Sequence, residues 1–205
     1  MMNKYIIMAA QAVSLLFTPW YLALLGFVLL LIFSYLNMLP WQLKLMMGLM
    51  VYLFTVLLPY WSIYIYRRAN GLTSRQMGQR ERRLVPYAIS ILCYTALWWL
   101  MRFFNLPSFT QAVVAGALFI QILCAVVNMW VKVSTHAAAI GGIIGALMAF
   151  SLVFSFDPTG WLCLSILVAG VVCTARMILR QHTLGELGLG LLIGLLCGWG
   201  SVLML

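Results

Sequence analysis

Charge is what this sequence lacks. Only 7% of its 205 residues are Asp, Glu, Lys or Arg, and three of those are acidic. So little polar surface cannot wrap a soluble globule, which excludes a fold that lives in water. It also excludes a separate soluble domain, because no polar stretch is long enough to make one. Histidine is scarce as well, with two in the chain, so few side chains can move a proton near neutral pH. The cysteines Cys93, Cys124, Cys163, Cys173 and Cys197 all sit in apolar runs. There they act as small buried hydrophobes, which argues against a disulfide framework and leaves the redox compartment unread. Low-complexity segments, evident repeats and strand patterns are missing too.

What is present is hydrocarbon, 65% of the residues by type. The length gives room for about seven spans of ~20 residues with short connections. The expected fold class is all-α: a polytopic membrane helix bundle of six to seven transmembrane helices, forming one domain over 1–205. No short apolar run near Met1 is followed by a cleavage-like site, so the first helix is expected to stay. A formal charge of +9 favours anionic lipids as partners. Nucleic acid is a poor partner for so apolar a chain.

Charges mark the span ends, since Lys or Arg at the hydrocarbon centre costs ~2.5 to 3.5 kcal/mol. The first helix is expected over roughly 11–37, with Pro19 either kinking it or ending a shorter leading helix. The second runs over roughly 43–66, before Arg67, Arg68, Arg75, Arg80, Arg82 and Arg83 crowd into one polar loop. Pro86 suits the first turn of the third, which ends at Arg102 and Asn105-Leu106-Pro107. The rest are expected at roughly 109–131, 137–156, 161–179 and 186–205. Gly141, Gly142 and Gly145 permit close packing of the fifth.

Parity then sorts the polar residues. Two helices separate the arginine loop from His136, and two more separate His136 from the stretch Arg176 to Glu186, so all three share one membrane face. Both histidines and the acid Glu186 fall at these junctions. Each has a plain alternative. Arg67 and Arg68 serve as headgroup anchors, His136 as a packed residue at a helix start, and one of Arg176 and Arg180 as a neutraliser of the helix dipole. Grouping favours a site. His182 and Glu186 form an i, i+4 pair if the last helix starts slightly early, so the carboxylate can hold one ring nitrogen and leave the other free to react. Ser134 and Thr135 can cap the following helix while its N–H groups face an anion. Arg75 and Arg82, seven apart, would share a face if their loop is helical, and guanidinium forks suit phosphate oxygens.

These residues resemble the type 2 phosphatidic acid phosphatases, membrane enzymes marked by K-x6-R-P, P-S-G-H and S-R-x5-H-x3-D. The third block is matched by Ala175-Arg176, five residues, His182, three residues and Glu186, with Ala for Ser and Glu for Asp. The second appears as Val133-Ser134-Thr135-His136, without its proline and glycine. The first keeps only the spacing of two cations, Arg75 and Arg82, with Pro86 displaced and Arg83 able to stand in for Arg82. The resemblance covers roughly 75–190. It implies that His182 attacks phosphorus to give a phosphohistidine, that Glu186 orients its ring, and that no metal or other cofactor is needed. His136 would protonate the leaving group and then activate water. Arg176, Arg82, Arg75, Ser134 and Thr135 would hold phosphoryl oxygens.

The implied partner is a membrane lipid phosphate or diphosphate entering sideways from the bilayer, and the implied location, for a bacterial member, is the inner membrane. Three rival readings stay open: a two-His-Glu zinc site, a binder or transporter of anionic lipids, and a silent relative. Facing is undecided. Ten of twelve Lys and Arg lie on the site face, opposite only Lys44 and Arg102, which points to the cytoplasm, whereas bacterial relatives expose the site outside.

Overall fold

The computed structural model describes residues 4–33, 39–71, 81–155 and 157–204. Among them are eight helices and no strand: α1 (Lys4–Leu16), α2 (Pro19–Phe33), α3 (Trp41–Ala69), α4 (Leu84–Phe103), α5 (Ser108–Val127), α6 (Thr135–Phe154), α7 (Thr159–Ile178) and α8 (Leu184–Leu203). Helix is the only regular structure that satisfies every backbone group within its own segment, which hydrocarbon demands. The six from α3 to α8 are long and apolar enough to cross a bilayer, and α1 with α2 makes a seventh if that bent pair counts as one span. Large apolar residues such as Trp99, Leu167, Leu192 and Leu196 face outward, as lipid-facing surface does. The chain is an integral membrane protein.

Pro19 ends a helix and does not kink one. The axes of α1 and α2 meet at 55° on either side of it, so of the two alternatives open for 11–37 the shorter leading helix is the one that forms. Proline cannot donate the hydrogen bond that continuation needs, and it fits the first position of the next helix. A second proline, Pro59, leaves α3 unbroken but widens it into a π turn over Leu53–Leu57, which absorbs the missing donor. The helix therefore runs three residues past its expected end at 66.

α8 packs most extensively against α6, then against α5, while α1 lies along α7. Glycine makes the first contact possible. A Cβ on Gly194 would run into the carbonyl of Ala138 and lie 2.7 Å from the amide of Gly142. One on Gly190 would lie 2.6 Å from the carbonyl of Ser134. Backbone thus touches backbone along this seam, and van der Waals contact replaces the hydrophobic drive that lipid removes. Its upper end holds the start of α6 against the start of α8, where the backbone N–H of Ser134 donates to the carbonyl of Glu186 at 3.4 Å.

Candidate active site

Two helix starts and one helix end converge at this face. Ser134 is the N-cap of α6, extended at φ −89°, and its hydroxyl accepts from the amide of Ala137 at 3.4 Å. Thr183 caps α8 with a reciprocal pair: its hydroxyl accepts from the Glu186 amide, and the Glu186 carboxylate accepts from the Thr183 amide, each at 3.4 Å. Between α7 and α8 the chain turns through Arg180, at φ 51°, with the Gln181 amide bonded back to the Arg176 carbonyl at 3.1 Å. That turn exposes Arg180, beyond the end of α7, and separates it from Arg176, which is buried within the last turn of the helix.

His182 sits one residue before the cap, outside α8. It still pairs with Glu186, Nδ1 to Oε2 at 2.7 Å, because the capping turn folds the carboxylate back over the helix start. The helix does start early, at Leu184, but His182 stays outside it, so the cap joins the pair. A carboxylate only accepts, so Nδ1 carries the proton and Nε2 keeps its lone pair. The ring is buried. Burial lowers its pKa most, Arg176, Arg83 and Lys132 push the same way, and Glu186 pulls it back up, which leaves the imidazole neutral at pH 7.

His136, in the first turn of α6, lies 3.3 Å through Nε2 from the backbone carbonyl of Ser14 in α1. That carbonyl can only accept, so Nε2 is the donor. Nδ1 is enclosed and has no partner among the described residues. Arg176 is buried and donates through Nη1 to the Ser14 hydroxyl at 2.9 Å, while its Nε has no partner among the described residues. Its charge, those of Arg83 and of a protonated His182 all reach His136.

Arg83 precedes α4 and bonds through Nη1 to the carbonyl of Val133 at 3.4 Å, which fixes it beside the α6 cap. Lys132 donates to the carbonyl of Gln181 at 2.6 Å. Burial and the charge of Arg83 both lower its pKa, while Glu186 raises it. Arg82 is exposed, and the described contacts of the cluster run to its neighbour Arg83. Thr135 is half-buried and faces an apolar cavity beneath the cluster. Arg75 lies outside the described residues. The structure thus brings together His136, His182, Glu186, Arg176, Ser134 and, of the two arginines the sequence offered, Arg83, and adds Lys132 and Ser14. Lys132 was within reach of the sequence, two residues before Ser134. Ser14 carried no signal, since its role arises from the bend at Pro19.

Among the described residues no three His, Cys, Asp or Glu side chains converge as a metal site would need. Among the described side chains, Arg83, Lys132 and Arg176 face one carboxylate, Glu186, which leaves a surplus of two positive charges around two histidines. That balance fits a dianion. The class is therefore a polytopic membrane helix bundle with a cationic, histidine-bearing cluster at one face. Comparison with family models, with curated proteins and with solved structures returns no match.

Proposed function

We propose that the chain is a metal-independent lipid phosphate phosphatase working through a phosphohistidine, as its resemblance to the type 2 phosphatidic acid phosphatases implies. The observation that carries this reading is the neutral, carboxylate-held His182 ring inside a cluster with two surplus positive charges. In the first step Nε2 of His182 forms a bond to phosphorus as the bond to the lipid oxygen breaks, and His136, which must carry a second proton on Nδ1 once the dianion is bound, gives that oxygen this proton. In the second, water attacks phosphorus, the N–P bond breaks, inorganic phosphate leaves, and His136 takes the proton of the water. Arg176 and Arg83, with Lys132 beside them, neutralise the phosphoryl oxygens as charge spreads over them. Arg83 takes the place the sequence offered to Arg82. The Ser134 hydroxyl, which accepts from Ala137, keeps its own proton to donate.

The head of the substrate lies at the membrane face and its hydrocarbon stays in the bilayer, which makes it a lipid phosphate or diphosphate. A bacterial inner membrane is the setting the resemblance implies. Purified protein in EDTA, given a panel of lipid phosphates, tests the reading. Release of phosphate that is abolished by His182→Ala supports it. No release by folded protein would shift the reading to an anionic-lipid binder or transporter, and release only with added zinc would replace it with a metal site.

A further inference from the structure

Each histidine of the cluster is held through one ring N–H by an oxygen, and the two oxygens differ in charge. A carboxylate, Glu186, holds Nδ1 of His182 at 2.7 Å, whereas a neutral backbone carbonyl, that of Ser14, holds Nε2 of His136 at 3.3 Å. The difference suits opposite tasks. A ring that attacks phosphorus gains positive charge, which an anionic partner stabilises. A ring that gives up a proton loses positive charge, and a neutral partner does not hold it back.

Ser14 can serve because of where α1 ends. It lies in the last turn, where a helix leaves its carbonyls without a later amide of its own. The Phe17 amide takes the carbonyl of Val13, the chain then bends by 55° at Pro19, and the Ser14 carbonyl turns to a side-chain donor. Because α1 lies along α7, the same residue also meets Arg176, whose Nη1 donates to its hydroxyl at 2.9 Å. Ser14 and Arg176 are both buried, so water does not stand in for that contact.

We infer that Ser14 is a positioning residue for the proposed reaction, acting through two atoms. Its carbonyl fixes His136 with a proton on Nε2, which makes the enclosed Nδ1 the nitrogen that gives a proton to the leaving oxygen and later takes one from water. Its hydroxyl fixes the guanidinium of Arg176 before the phosphoryl group arrives. The inference rests on the phosphatase reading for the proton transfer and on the two contacts for the orientation.

Two changes in the full chain separate the two atoms. Ser14→Ala removes the hydroxyl and keeps the carbonyl. It is expected to raise KM for a lipid phosphate and Kd for inorganic phosphate about tenfold, with kcat within about threefold of native. Ser14→Thr, which restores the hydroxyl, is expected to return both constants to within about threefold. Ser14→Cys, a weaker acceptor of similar size, replaces the alanine variant should that one not fold. Placing the α-hydroxy acid of leucine at Leu15 turns the Ser14 carbonyl into an ester carbonyl, a weaker acceptor, and leaves the hydroxyl in place. This is expected to lower kcat about tenfold with KM unchanged. Nitrogen NMR of labelled histidine, with the His136 signal assigned in His182→Ala protein, is expected to show Nε2 protonated in the native chain and mixed tautomers in the ester. A native His136 protonated on Nδ1, phosphate binding untouched by Ser14→Ala, or kcat untouched by the ester overturns the inference. Absence of turnover in the native chain overturns the phosphatase reading, and the nitrogen spectrum and the phosphate titration still decide the role of Ser14.

Discussion

Arg176 reaches across the bundle to Ser14, 162 residues earlier in the chain, and donates to its hydroxyl at 2.9 Å. The same serine offers its carbonyl to His136. One short residue at the end of α1 therefore closes the site from the side that the motifs do not cover.

Ser14→Ala is expected to lower stability. The substitution leaves a buried guanidinium nitrogen without its acceptor, which costs ~1 to 3 kcal/mol. For a chain of this size that is a fall of ~2 to 4 °C in Tm per kcal/mol, read from a thermal melt in detergent. An unchanged Tm would mean that the contact does not hold α1 in place.

The pH dependence follows from His182. Its pKa lies below the ordinary 6.5, at about 4, so the folded protein resists a proton that the unfolded chain accepts. The stability this contributes is complete above 6.5 and is lost as pH falls from there toward about 4. The acid limb of kcat/KM, which reports loss of the free ring, is set by the folded value alone and is expected near about 4 and not at 6.5. Glu186 raises the His182 pKa, so Glu186→Gln is expected to move the limb lower still while cutting the rate by ~10²- to 10⁴-fold. A limb that moves upward in Glu186→Gln contradicts this assignment.

Adjacent arginines should behave differently. Arg83 is tied to Val133 and acts on both histidines, whereas Arg82 is exposed. Arg83→Ala is expected to lower kcat/KM by ~10- to 100-fold, the scale of one charge-assisted contact to phosphate. Arg82→Ala is expected to stay within about threefold of the native value. Phosphate release by the two variants, assayed side by side, decides between them.

The glycine seam sets the distance between the two halves of the site. Gly194→Ala drives a methyl group into the Ala138 carbonyl and is expected to cost ~1 to 3 kcal/mol, with loss of activity as α6 and α8 part. Gly188→Ala meets nothing within 4 Å and is expected to leave the melt unchanged or raise it by the helix propensity of alanine. Equal melts for the two would show that the seam tolerates spacing.

Much of this was legible in the residue pattern because a bilayer imposes so few choices. Apolar runs of ~20 residues become helices, so α3 to α8 lie within a few residues of their expected ends. Charges placed those ends, and counting crossings put Arg83, His136 and His182 on one face. Pro19 was readable only as two alternatives, since whether a helix kinks or stops depends on what its first half can pack against, here α7. The π turn before Pro59 was hidden for the same reason. Spacing suggested the bond between His182 and Glu186, but not the capping turn that makes it, because a cap depends on where the helix begins to within one residue. Ser14 was invisible: its value comes from a bend and a distant partner.

The carboxylate of Glu186 serves two masters. It closes the cap of α8 and it aims the ring of His182, both through Oε2. Capping of this kind calls for the longer acid at the third helical position, which gives a physical reason for glutamate where the resembled motif has aspartate. Fold and chemistry are thus wired to the same atom. A lineage drifting toward inactivity could not discard this residue cheaply, since silencing the ring would also fray the last helix.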